Sequence, residues 1–277
     1  MGSKTKIDWC DSSWNPVTGC LHGCEYCYAQ GIAKRFGGVY YEDELPNRYG
    51  EYEVERLRAD GDLHELDYPL RNFGNNKIAP YPFEFDPTLH RYKLDEPQKW
   101  KKPRTIFVCS MADLFGEWVP DEWIEQVFKA CEAAPQHRYL FLTKNPKRYV
   151  DLYAKNILPI GKGYWYGTTV TSPEQPFFYS RVPDDNPHTF VSIEPIMGSF
   201  GKIKDLPDWV IVGAETGNRK GKVAPRKEWI DGIAEACKRY RTPIFMKESL
   251  RGLMGADFKQ EFPWQARDHE FCGGTDS

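Results

Sequence analysis

Thr105-Ile-Phe-Val-Cys109, then Asp121-Glu-Trp-Ile-Glu-Gln-Val-Phe-Lys-Ala-Cys131, then Arg138-Tyr-Leu-Phe-Leu142 is the stretch that decides the fold. The first and third pieces are short apolar runs rich in β-branched and aromatic residues, the pattern of strands buried on both faces. The middle piece opens on Pro120 and Asp121. It repeats apolar residues at Ile124, Val127, Phe128 and Cys131, the stripe of an amphipathic helix. Strand, helix and strand in this order predict parallel strands joined by a crossover helix.

Working outward, the same alternation recurs. A helix is expected from Pro146 to about Tyr153, a strand at Tyr164–Thr169, a short helix after Pro173 and a strand at Thr189–Ile193. Trp209-Val-Ile-Val-Gly213 reads as a strand. Glu228–Arg239 reads as a helix with Trp229, Ile230, Ile233 and Cys237 on one face, and Pro243–Met246 as the last strand. About seven such strands suggest an α/β fold of complete or partial (β/α) barrel type. Residues 37–104 carry no repeated β/α pattern and are crowded with Tyr, Pro and charge. Ten acids between 40 and 70 face only three arginines there. This segment is expected to be an insertion after the first β/α unit, a lid or a solvated loop, within one domain spanning 1–277. The tail from 255 to 277 is weakly patterned.

Composition narrows the function classes. The chain has 277 residues, 40% hydrophobic and 15% aromatic, enough for a substantial core. Net charge is −3, from 37 basic and 40 acidic residues, so polyanion binding would need a local patch. Two basic runs qualify: Lys99, Lys101, Lys102 and Arg104 around Trp100, and Arg219, Lys220, Lys222, Arg226 and Lys227. No apolar run approaches the ~18 residues of a membrane span. No secretion signal or lipidation pattern is present, so a cytoplasmic protein without disulfides is expected.

Cys20-Leu-His-Gly-Cys24-Glu-Tyr-Cys27 places three of the eight cysteines within eight residues. That spacing is expected by chance about 0.007 times in a chain of this composition. Three crowded thiolates suit a soft metal, zinc or an iron–sulfur cluster. A closed structural zinc site would need a fourth ligand, such as His22 or Cys10, and would make this a binding protein. Three ligands alone leave one metal position open for chemistry. Cys131 and Cys237 sit on apolar helix faces and read as core. Cys109, ending a strand, is either a small buried apolar residue or a hydrogen-atom donor.

In a parallel barrel the ligand site lies at the carboxyl ends of the strands. Polar residues that follow the expected strands are Ser110 and Asp113, Thr143 and Lys144, Thr169 and Thr171, Glu194, Glu215, and Lys247 with Glu248.

The cysteine motif resembles that of the radical S-adenosylmethionine enzymes, whose C-x3-C-x-aromatic-C loop binds a 4Fe–4S cluster. Trp14-Asn-Pro-Val-Thr-Gly-Cys20, Lys101–Phe115, Leu142-Thr-Lys-Asn-Pro146, Val191-Ser-Ile-Glu-Pro195 and Val210–Gly217 extend the likeness. They are similar to an uncharacterised phage-associated family of that type, distantly related to the spore photoproduct lyases. The resemblance spans roughly residues 7–37 and 81–250. It implies a partial or full barrel, with Cys20, Cys24 and Cys27 holding the cluster and S-adenosyl-L-methionine on the fourth iron. It implies Tyr26 near the adenine, Ser110 and Asp113 for the amino group, and Lys144 for the carboxylate. Glu194 is implied for ribose or the amino group, with Gly213 and Glu215 on the strand supporting adenine. An electron donor such as flavodoxin or ferredoxin is implied as partner. The substrate expected is a nucleotide or nucleic acid; a peptide or small metabolite is the alternative.

Overall fold

A computed structural model describes residues 5–37, 54–58, 62–71, 76–175, 188–217 and 219–265, with the backbone alone at 54–58 and 62. The chain's contacts divide it into two compact units, Met1–Pro159 and Ile160–Ser277.

In the first unit, β1 (Ser12–Trp14), β6 (Thr105–Val108) and β7 (Arg138–Thr143) are parallel neighbours, with Trp14 opposite Val108 and Ile106 opposite Tyr139. Every residue of β6 is buried, as the unbroken apolar run predicts. Helix α2 (Asp121–Glu132) crosses between β6 and β7 and buries Ile124, Val127, Phe128 and Cys131, the expected stripe, together with Trp123. Asp121 opens this helix, and its carboxylate accepts from Arg148 at 2.6 Å and Lys155 at 2.5 Å. Phe115 packs edge-on against Phe141 and Tyr149, the latter in α3 (Lys147–Ala154).

The insertion follows α1 (Tyr28–Phe36), and its described residues are not a bare loop. They build a four-stranded sheet in the order β2 (Val17–Thr18), β5 (Thr88–His90), β4 (Asp62–Leu66), β3 (Val54–Arg58). The β2–β5 and β3–β4 pairs are antiparallel, and β4–β5 is parallel. Its first strand comes from just before the cysteine loop, so the insertion is anchored to that loop by a ladder. Buried Glu65 ties the sheet to α2 by accepting from Arg91 and from the Trp123 indole. Most of the acidic stretch at 40–70 lies outside the described residues.

In the second unit, β8 (Tyr164–Thr169), β9 (His188–Ile193), β10 (Trp209–Val212) and β11 (Ile244–Met246) are parallel in chain order. Helix α4 (Lys227–Tyr240) crosses between β10 and β11, burying Ile230, Ile233 and Cys237; Trp229 is only half-buried, under the Arg226 guanidinium. Val191, Val210, Ile244 and Met246 pack against that helix. After Pro173 the described residues form a turn up to Gln175, and the expected helix otherwise falls on residues outside the description. The start of the weakly patterned tail is part of the unit. Segment 258–265 runs beside β11, with Met246 N donating to Lys259 O at 2.8 Å, and sets Phe262 and Trp264 against Trp209.

The seven parallel strands and their crossover helices are the α/β class expected, those of a partial (β/α) barrel. Among the described residues no helix is long and apolar enough to cross a membrane.

Candidate functional site

The cysteine loop begins at a backbone crossing that only glycine permits. Gly19 has φ +87°, and a Cβ there would lie 2.1 Å from the Asp86 carbonyl oxygen. From this point Gly19 N donates to Met111 O at 2.9 Å and Cys20 N to Phe85 O at 3.1 Å. The loop therefore hangs between the segment after β6 and the segment before β5. It ends where Cys27 caps α1, its sulfur accepting from Gln30 N at 3.4 Å.

Cys20, Cys24 and Cys27 are all half-buried. Burial pushes the Cys20 thiol up to about 12; Asp113, Cys27 and Cys24 add smaller repulsions to the same effect. The three thiols are thus electrostatic neighbours, although among the described residues no three His, Cys, Asp or Glu side chains close on a common metal point. As a donor set, three thiols on one short loop fit a thiophilic cluster with one open position. The two fourth-ligand candidates for zinc are otherwise placed. Cys10 precedes β1, where its thiol faces the Ile7 carbonyl at 3.9 Å. The His22 ring faces Asp113, with Nε2 at 2.8 Å from Oδ2.

Asp113 is buried, and its carboxylate is a junction. Oδ1 accepts from Phe115 N at 3.1 Å; Oδ2 accepts from Lys144 N at 2.9 Å and from the His22 imidazole. Lys144 in turn donates from Nζ to the Tyr26 hydroxyl at 2.7 Å, with its ammonium 4.8 Å from that ring's centre. Ser110 donates to Asn15 Oδ1 at 3.1 Å, and the same oxygen accepts from Met111 N at 3.0 Å. Tyr26, Ser110, Asp113 and Lys144 are therefore gathered around the cysteine loop, and each has a protein partner there.

Cys109 ends β6 in the left-handed region, at φ +58°. A non-glycine residue held there carries about 1 kcal/mol of strain or more. The side chain is buried, and that burial raises the thiol to about 12, so it stays S–H. Its electrostatic neighbours include Asp113, Lys93 and the core residue Cys131.

The second unit carries its own polar set after the strands. Lys247 Nζ pairs with Glu194 Oε1. Lys247 runs across Gly213, where a Cβ would meet Lys247 Cδ at 2.8 Å and displace that stem. The backbone of Gly213 is already used, donating to Ile193 O at 3.0 Å and accepting from Ile196 N at 2.9 Å. Glu215 is buried and held bidentately by Arg219, at 2.6 and 2.8 Å, which keeps its carboxyl below the usual range. Glu248 pairs with Arg251 at the surface. Thr143 Oγ1 accepts from Asn145 N at 2.9 Å, and Thr171 Oγ1 donates to Gln175 Oε1 at 3.1 Å.

Three residues escaped the sequence reading of strand ends. Asn15 holds the segment after β6 from an adjacent strand. His22 joins the Asp113 junction. Ser192 Oγ is buried with no partner among the described residues, an orphan hydroxyl two positions before Glu194 and so on the same strand face. Strand alternation counted back from Glu194 would have found Ser192; His22 stands inside the cysteine motif, and no local pattern marks Asn15.

The basic runs are largely committed. Besides Arg219, Lys222 donates to Gly217 O at 3.3 Å, and Lys227 pairs with Asp231 and Asp257 at 2.8 and 2.9 Å. Lys220 is exposed. In the earlier run Lys99 pairs with Asp95 at 2.7 Å. Arg104 lies 4.7 Å over the Trp100 ring and donates to Ser12 Oγ at 3.0 Å. That run enters the amino end of β6, whereas the cysteine loop meets the segment after its carboxyl end.

Parallel strands with a three-thiol loop at the carboxyl ends of β1 and β6 define the class: an α/β protein of partial (β/α) barrel type with three cysteines at a strand rim. The chain belongs to the family described as protein of unknown function (DUF5131), whose profile matches residues 4–256. No curated protein matches it. Among solved structures it is similar to "Spore photoproduct lyase complexed with dinucleoside spore photoproduct", at 11% identity and a TM-score of 0.47, over 95% of this chain and 79% of that one.

Proposed function

We propose that this protein is a radical S-adenosylmethionine enzyme in which Cys20, Cys24 and Cys27 hold a 4Fe–4S cluster and S-adenosyl-L-methionine takes the open iron. The observation that carries the reading is Lys144, whose ammonium reaches Tyr26 at 2.7 Å inside the cysteine loop. A point charge reaching into the thiol loop supports a carboxylate partner there. When bound, the cluster and S-adenosylmethionine supply a 5′-deoxyadenosyl radical able to take hydrogen from an unactivated carbon. The chain's own residues bind and orient. With the cofactor bound, Lys144 would turn from the Tyr26 hydroxyl to its carboxylate, and Ser110 and Asp113 would take the amino group. Cys109, kept as S–H by burial, is assigned as hydrogen-atom donor. In the second unit, the Lys247–Glu194 pair is a hydrogen-bonding set suited to a hydroxylated ligand. The substrate assigned is a nucleotide or nucleic acid, which exposed Lys220 supports only as a local contact. A flavodoxin- or ferredoxin-type protein is assigned as electron donor.

Anaerobic reconstitution tests the reading. About four iron and four sulfide per chain are expected, with 5′-deoxyadenosine formed when reductant and S-adenosylmethionine are added. Lys144→Ala should retain the iron while losing most of the cofactor-induced change in the reduced cluster's paramagnetic resonance spectrum. Stoichiometric zinc without acid-labile sulfide would overturn the assignment.

A further inference from the structure

Between Cys20 and Cys24 the loop has one polar side chain, His22, and it is gripped on two sides. Nε2 lies 2.8 Å from Asp113 Oδ2, and the ring stands edge-on to Trp118, with centroids 4.8 Å apart at 80°. Both supports are fixed from behind. The Asp113 carboxylate is held by the amides of Phe115 and Lys144. The Trp118 ring lies over Gly116, where a Cβ would come within 2.4 Å of it. On the far side of Cys24, Tyr26 is held by the side chain of the same Lys144 whose amide Asp113 accepts. The loop is thus clamped at two points, one in each interval between its cysteines, and both lead to the Asp113–Lys144 junction.

We infer that His22 is a positioning residue: by donating to Asp113 it sets the Cys20–Cys24 interval in place before any cluster is bound. This rests on the function proposed above for its consequence, though not for the loop order itself. Groups that orient metal ligands from behind typically change metal retention 10–100-fold when removed.

The experiment compares wild-type protein with His22→Ala and His22→Gln, the latter retaining an N–H donor at about the same reach. In the cluster-free proteins, hydrogen exchange of the amides at 21–25 should be about tenfold faster in His22→Ala than in wild type, with His22→Gln intermediate. All three should unfold in one cooperative transition, with His22→Ala lower by no more than the loss of one hydrogen bond to Asp113, showing that the change is local. After reconstitution, iron release to a chelator should be at least tenfold faster in His22→Ala. Its reduced spectrum should differ at equal iron content, and His22→Gln should restore both. Equal exchange at 21–25 in wild type and His22→Ala overturns the inference. So does equal iron release with identical spectra. Wild-type protein that takes up no iron would instead overturn the function proposed above, and the exchange measurement alone would then decide the role of His22.

Discussion

The carboxylate of Asp113 accepts the backbone amide of Lys144 at 2.9 Å, joining the segment after β6 to the segment after β7. The same side chain accepts from Phe115 N, so its removal orphans two amides, one of them buried. Asp113→Ala should therefore lower stability by about 1.5–3 kcal/mol, the range for hydrogen bonds to a charged acceptor. Urea unfolding would register it as a fall in midpoint at constant slope. A loss under 0.5 kcal/mol would mean that the amides find other partners.

Gly19 tolerates no side chain, because its φ is +87° and the Asp86 carbonyl fills the Cβ position. Gly19→Ala should cost about 3 kcal/mol or more through strain and overlap together. It should also pull Cys20 from its bond to Phe85 O. Thermal unfolding and iron content after reconstitution both read this out, and normal values for the two would show that the crossing can relax.

His90 is fully buried, with its ring nitrogens 2.9 Å from Thr18 Oγ1 and 3.1 Å from Tyr92 Oη. Burial, and then the nearby Lys93, hold its pKa well below the ordinary histidine value. The unfolded chain therefore binds a proton near pH 6.5 that the folded chain refuses. The His90 contribution is complete above that pH. It is lost as pH falls toward the folded value, at up to about 1.4 kcal/mol per pH unit. Unfolding free energies from pH 7.5 to 5 should show a shallower decline in His90→Gln; parallel curves would contradict the assignment.

Of the basic run at 219–227, Arg219 is spent on Glu215 and Lys227 on Asp231 and Asp257. If the protein binds an oligonucleotide there, Lys220→Ala with Lys222→Ala should reduce the salt dependence of binding by up to about two phosphate contacts. Arg219→Ala should instead lower stability by freeing buried Glu215. Fluorescence anisotropy across a salt series separates the two effects, and absence of any salt-sensitive binding removes the nucleic-acid substrate.

The strands and crossover helices were legible because burial leaves a local imprint. Thr105–Val108 and Trp209–Val212 are apolar throughout since both faces are covered, and α2 shows its stripe at Ile124, Val127, Phe128 and Cys131. The thiol loop was legible for a similar reason, its donors lying within eight residues. The sheet formed by 54–58, 62–66 and 88–90 with Val17–Thr18 was not. Its strands are short and charged, and its order is set by pairing with Val17–Thr18, on the other side of α1.

By itself, then, the sequence determined the alternation of strand and helix and the faces that are buried, and it set three thiols within eight residues. Those properties depend on neighbours along the chain. Tertiary structure alone decided what each polar group faces. His22 meets Asp113 across 91 residues and Lys144 meets Tyr26 across 118. The stem of Lys247 lies over Gly213, and Arg219 turns inward to Glu215. A polar side chain needs one partner at about 3 Å, and its own sequence carries no record of which distant segment the fold will bring there.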